Sequence, residues 1–239
     1  MSDLILSAIF QPWMLIIFLP LIYVLIRMYL RKKEFKGSSY SDASGNSYAK
    51  TVSSKGNSGE YLTFLELEKL DGDKRILTNL YLPGKDGKTT EVDLVMIHPT
   101  GIYVFESKNY SGWILGDDKV RYWTQSLNGG KKNKFFNPIW QNKGHIAALS
   151  KALGNGYEDH LYSYIVFSER CELNKSINEL QGVVVLKRNR LLSKLRQDVT
   201  ERSTVFMKTE MDELEELLKS FELADDVTKA AHIESVMAK

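Results

Sequence analysis

From Leu4 to Ile26 the chain carries no charged residue. Such a run is long enough, as a helix, for a bilayer core, which takes roughly 20 residues at about 1.5 Å each. Only Ser7 and Gln11 break the apolar surface, whereas a helix half-buried in a soluble domain would show a regular polar stripe. A cleaved signal peptide wants bases before the run and small residues after it. Here Asp3 precedes the run, and Arg27, Arg31, Lys32 and Lys33 follow it. The pattern predicts a single transmembrane helix over residues 4–26, in contact with the lipid bilayer. Because the basic flank stays inside, the body is expected on the cytoplasmic side of the cell (inner) membrane. Residues 27–58 follow as a basic flank and a linker. Ser, Gly, Asn and Lys dominate 34–58 without apolar periodicity, which predicts a flexible tether.

A different pattern starts at Gly59–Glu60. Leu62, Leu65 and Leu70 lie near helical spacing and predict a helix over 60–70, stopped by Asp71–Gly72. Residues 76–83 predict a strand, and Lys85–Lys88 a turn. Two β-rich runs, Thr90–Ile97 and Gly101–Lys108, flank His98–Pro99–Thr100 and predict a hairpin. Trp113–Leu115 and Val120–Trp123 predict a second. Asn137–Pro138 opens a helix that ends near Gly154. Residues 162–167 and 183–186 are short apolar runs of buried-strand type. Helices are expected over 189–196, 226–237 and, with Met211, Leu214, Leu217, Leu218 and Phe221 on one face, over 210–221. The order predicts an α/β fold: a mixed central sheet flanked by helices. The expected division is 59–170 for the domain proper and 171–239 for a C-terminal strand and helices packed on it.

Composition adds little. With 239 residues and 43% hydrophobic content the chain can bury one substantial core. A formal charge of +2 gives no global argument for nucleic acid, so any such interface must be a local patch. The lone Cys171 cannot form an internal disulfide.

The candidate chemistry lies on the first hairpin. Residues two apart on a strand share a face, so Glu106 and Lys108 project together, as do Glu91, Asp93 and Val95. Asp93 stands between Val92 and Leu94, where a carboxylate is costly unless compensated. The hairpin can bring it beside Glu106, and two adjacent carboxylates repel until a hard divalent cation such as Mg²⁺ relieves them. Lys108 would then sit at the flank of a water or a phosphate. The plainer alternative is a cross-strand Asp93–Lys108 ion pair with Glu106 solvated.

The ordered series Gly59–Glu60, Glu91–Val92–Asp93, Gly101 to Tyr110 with Glu106–Ser107–Lys108 at its heart, and Asn137–Pro138 with Gln141–Asn142 resembles the nuclease-related domain (NERD) family. That family is similar to the PD-(D/E)xK restriction-endonuclease-like fold. The resemblance covers about half the chain. It implies Asp93, Glu106 and the Ser107 carbonyl as metal ligands for Mg²⁺ or Mn²⁺. It implies Lys108 as catalytic lysine, Glu60 as an acid oriented towards the metal or its water, and Gln141 beside the site. The expected activity is metal-dependent hydrolysis of phosphodiester bonds in DNA or RNA. The competing readings are a non-catalytic nucleic-acid-binding module, and a membrane-tethered interaction module that uses the amphipathic 210–221 helix.

Lys131, Lys132 and Lys134 beside Phe135, Phe136 and Trp140 would suit phosphate contact and base stacking, or would simply be a solvated loop with an apolar anchor. His98, His145, His160 and His232 lack metal-ligand spacing and read as structural or exposed.

Overall fold

The computed structural model describes residues 12–84, 89–174, 177 and 182–222. The predicted turn at 85–88 and helix at 226–237 lie outside them, as do residues 4–11 of the predicted span. Helix α1 runs Pro12–Gly37. Among the described residues no helix is long and apolar enough to cross a membrane.

The expected tether is instead helical and packed. α2 (Tyr40–Ser44) and α3 (Tyr48–Ser53) precede α4 (Lys55–Glu68). Ser47 and Ser54 accept hydrogen bonds from the Lys50 and Asn57 N–H groups, so the serines that suggested disorder are N-caps. Phe35, at the end of α1, is buried against Tyr40, Tyr48 and Tyr61, and Tyr40 packs on Phe64. Burying an aromatic ring stabilises by about 2 kcal/mol, enough to hold a short Ser-rich segment in place.

The body is a sheet between helical layers. β1 (Arg75–Pro83), β2 (Thr89–His98) and β3 (Gly101–Lys108) pair antiparallel, and β7 (Leu161–Phe167) and β9 (Val184–Lys187) extend the sheet in parallel from β3. On one face Leu94, Met96, Tyr103, Phe105 and Tyr164 pack against α4 and α6 (Leu191–Glu201). On the other, Leu77, Leu80, Val92, Val95 and Val104 pack against α5 (Pro138–Leu153) and α7 (Lys208–Lys219). The apolar face of α7, with Met211, Leu214 and Leu218, is therefore core, and the amphipathic pattern of 210–221 does not mark a partner surface.

A second sheet, ordered β6-β5-β4-β8, sits beside α5. It comprises β4 (Gly112–Leu115), β5 (Tyr122–Ser126), β6 (Lys132–Phe136) and β8 (Cys171–Leu173). Its inner face carries Ile114, Trp123 and Cys171 against Ile165 and Phe167 of β7, with Trp123 and Phe167 stacked at 6.0 Å. The run 131–136 is thus a strand, where a solvated loop was one expectation.

One departure from regular strand geometry matters for the site. Asn79 has φ +51°, and Leu77 and Leu80 fall on the same face. Opposite, β2 does the same around Asp93: Val92 and Val95 share a face, while Leu94 lies on the other. Strict alternation therefore breaks between Val92 and Val95, at or beside Asp93. The β2–β3 ladder ends at the pair Leu94–Phe105, one step short of Asp93.

Candidate active site

Where that ladder stops, the Asp93 carboxylate takes over. Its Oδ2 accepts from the Ser107 N–H at 3.1 Å, bridging the strands by a side chain where the backbone has parted. Glu106 and Lys108 point towards α5, by the same parity as Val104, while Ser107 points towards α4, where its Oγ lies 3.0 Å from Thr63 Oγ1. Lys108 Nζ donates to Gln141 Oε1 at 3.0 Å and lies 2.6 Å from Glu106 Oε1. His145 Nδ1 is 3.3 Å from Glu106 Oε2. Glu106 is 1% exposed.

Local sequence explains each placement. Gly59 lets α4 lie against the end of β3, since a Cβ there would come 2.8 Å from Asn109 Cβ. Asn109 fixes the contact by donating from Nδ2 to the Lys55 carbonyl. Glu60 follows at once and is brought to the acidic side of the site. On the other side Asn137 caps α5 by accepting from the Ile139 N–H, and its Nδ2 donates to the Asp117 and Val120 carbonyls. Pro138 occupies the first helical turn, where its missing N–H costs nothing. Asn142 then bolts α5 to the sheet through the Val104 carbonyl and Ser163 Oγ. Gln141 and His145, one turn apart, are thereby aimed at Lys108 and Glu106.

The electrostatics are those of crowded acids. Burial, then the neighbouring Glu106, pushes Asp93 up to about 7, against the opposing pull of His145, Lys108 and the Ser107 N–H. Burial, then Asp93, Glu91 and Glu106, raises Glu60 well above the carboxylate range. Burial also raises Glu106, which Lys108 partly offsets. Burial alone would depress the Lys108 ammonium, but Glu106 and Asp93 more than reverse this and hold it charged. Among the described residues no three His, Cys, Asp or Glu side chains form a ready-made metal cage. Glu106 Oε1 is instead engaged by Lys108.

Lys108, Glu106, Asp93, Ser107, Glu60 and Gln141 thus belong to one cluster. The ion pair is Lys108–Glu106, neither Asp93–Lys108 nor a solvated Glu106. His145 was missed. Its spacing of four from Gln141 on one helix was the available signal.

The structure thus defines a mixed α/β domain with three interacting acids and a lysine clustered where β2 and β3 part. The particular family follows from comparison: residues 55–168 are a NERD (nuclease-related) domain, matching the family model of that description. The chain is also 38% identical over 124 residues to an uncharacterized protein of Bacillus anthracis, a match covering 51% of this chain and 56% of that protein. The match thus spans little more than half the length of that relative. No solved structure matches.

Proposed function

We propose that this NERD domain hydrolyses phosphodiester bonds of DNA or RNA, in the manner of PD-(D/E)xK nucleases, and that α1 anchors it to a membrane. One observation carries the hydrolytic reading. Glu106 is buried and its Oε2 receives no well-aligned hydrogen bond, with His145 Nδ1 at 3.3 Å, beside an Asp93 that burial and then Glu106 push up to about 7. A buried carboxylate oxygen without a well-aligned donor is costly, and a hard cation relieves both groups together. The donor set fits Mg²⁺ or Mn²⁺: Asp93, Glu106 and the Ser107 carbonyl would hold it. Such an ion, when bound, lowers the pKa of a coordinated water and offsets charge on a phosphate. Lys108, released from Glu106 and still positioned by Gln141, would neutralise phosphate charge or orient the attacking water. Glu60 would accept a hydrogen bond from that water, and His145 would keep Glu106 oriented.

The test is cleavage of labelled single- and double-stranded DNA and RNA by the full chain in detergent, with Mg²⁺, Mn²⁺ or EDTA. Glu106→Gln should lower the rate by about 100-fold or more. Wild type and variant equally inert on all substrates would end the hydrolytic reading. The second reading, a non-catalytic nucleic-acid binder, draws on the Lys108–Glu106 pair, which already satisfies one oxygen. It predicts binding that tightens when Asp93 is neutralised, with no turnover.

The anchor reading rests on the surface of α1. Ile16, Leu19, Ile22, Val24, Leu25 and Ile26 are all exposed, on every side of the helix. Water-soluble proteins rarely leave so large an apolar surface uncovered. The full chain should stay with the membrane pellet after alkaline carbonate washing, and release into the supernatant would refute the anchor.

A further inference from the structure

The second sheet leaves one face to solvent, and its register sorts that face into rows. Trp113 lies across from Ser126, and Ser126 from Lys132. Leu115 lies across from Thr124, and Thr124 from Lys134. Tyr122 lies across from Phe136. The aromatic members are open: Trp113 is 57% exposed, Tyr122 46% and Phe136 40%. Their inner-face neighbours Trp123 and Phe135 already supply the packing that holds the sheet, so the outer rings are not needed for it. Tyr122 and Phe136 meet edge to face at 6.3 Å, and the Arg121 guanidinium lies 5.4 Å above the Tyr122 ring.

We infer that this outer face binds single-stranded nucleic acid, with bases stacking on Trp113, Tyr122 and Phe136 and phosphates running along Lys132, Lys134 and Arg121. Exposed rings interleaved with cations on one sheet face are what a strand with unpaired bases needs, because every base offers a π-face and every linkage a charge. A duplex keeps its bases stacked inside and gains little from the rings. A protein partner fits less well, since lysines are depleted from the centres of protein interfaces, and here they stand in the rows. One acid, Glu172, adjoins Trp113 in register, but Lys187 holds it at 3.1 Å. The face also leads towards the candidate active site. Phe136 meets Trp140 at 6.3 Å, and Trp140 precedes Gln141, the partner of Lys108. The inference rests on the reading of the domain as one that handles nucleic acid, and it narrows the substrate to single strands.

The test uses the full chain in neutral-lipid nanodiscs with EDTA, in the Glu106→Gln background so that turnover plays no part. Fluorescence anisotropy follows a labelled oligothymidylate and a duplex of equal length over a salt series. Expected results are tighter binding of the single strand, about tenfold weaker binding for Trp113→Ala, and a log affinity–log salt slope shallower by about 1.4 for Lys132→Ala/Lys134→Ala. The arginine pair Lys132→Arg/Lys134→Arg should restore the slope. These side chains are exposed, so the melting temperature should not move. Absence of oligonucleotide binding by the parent at low salt overturns the inference, as do variants that match the parent in affinity and slope. Variants that alter only self-association, or only retention on phosphatidylserine vesicles, overturn it too. Single-strand binding without cleavage in the wild type would sink the hydrolytic reading and leave the surface standing. Cleavage that ignores all these variants would do the reverse.

Discussion

Replacing Asp93 by Asn should make the protein more stable at neutral pH while removing the cleavage proposed above. Asp93 sits at about 7 in the folded chain against an ordinary 3.8. Between those values the folded chain keeps a proton that the unfolded chain releases. This group's favourable contribution is therefore complete below pH 3.8 and lost as pH rises through about 7. The interval corresponds to on the order of 4 kcal/mol at about 1.4 kcal/mol per pH unit, and partial exposure to water brings the expected gain to roughly 2–4 kcal/mol. Asparagine keeps an oxygen for the Ser107 N–H and never ionises. For a domain of this size the gain is worth about 5–10 °C in melting temperature. Circular dichroism melts in EDTA should show the Asp93→Asn protein above wild type at pH 8, with the gap reduced by roughly half or more at pH 5. Added Mg²⁺ or Mn²⁺ should narrow the gap at pH 8 by stabilising wild type selectively, by about 2.7 kcal/mol at a hundredfold excess over Kd. A variant that melts at or below wild type at pH 8, or a gap that persists unchanged at pH 5, would refute the reasoning that burial, reinforced by Glu106, disfavours the Asp93 charge.

Two further substitutions probe the supports of the site. Gly59→Ala places a Cβ 2.8 Å from Asn109 Cβ, so α4 must lift from β3. Denaturant unfolding should show a loss of about 1–3 kcal/mol, and cleavage should fall because Glu60 moves with the helix. Lys108→Met removes the cation that competes for Glu106 Oε1, so calorimetric Mn²⁺ affinity should rise by about tenfold or more while cleavage is lost. A drop in Mn²⁺ affinity would mean that Lys108 supports the ion rather than excluding it.

Much of this arrangement was legible in the residues. Strand parity alone put Glu106 and Lys108 together and Ser107 opposite, because β3 is a regular strand. Asn137–Pro138 announced α5, and with it Gln141. What parity could not give was the break at Asp93. That break lies opposite Asn79, which has positive φ, where the β1–β2 register passes from Thr78–Leu94 to Leu80–Val92. The Lys108–Glu106 pair was not anticipated for a related reason. Burial of Glu106 under α5 is a tertiary fact, and it makes the nearest ammonium a better partner than water. The spacing of His145 from Gln141 became meaningful only once Asn142 had fixed the roll of α5. The basic run at 131–134 was ambiguous because its alternation of lysine with Asn133 and Phe135 is readable as a strand only when β5 lies alongside.

The segment 34–58 shows where composition misleads most. Its serines and glycines describe a rope, yet Phe35, Tyr40 and Tyr48 make it a clamp. Phe35 belongs to the same continuous helix as the exposed apolar surface of α1, and its ring lies 5.2 Å from Tyr61. Tyr61 adjoins Glu60, and Tyr40, pushed up to about 12 by burial and then by the Glu60 charge, closes the same corner. A flexible tether would leave the acids of the site indifferent to how α1 is held. A helix end buried in the aromatic cluster that also carries α4 does not. The direction in which α1 leaves the domain is therefore fixed by the packing that positions Glu60. If α1 lies in a bilayer, the domain is held to the membrane at one set angle rather than sampling many.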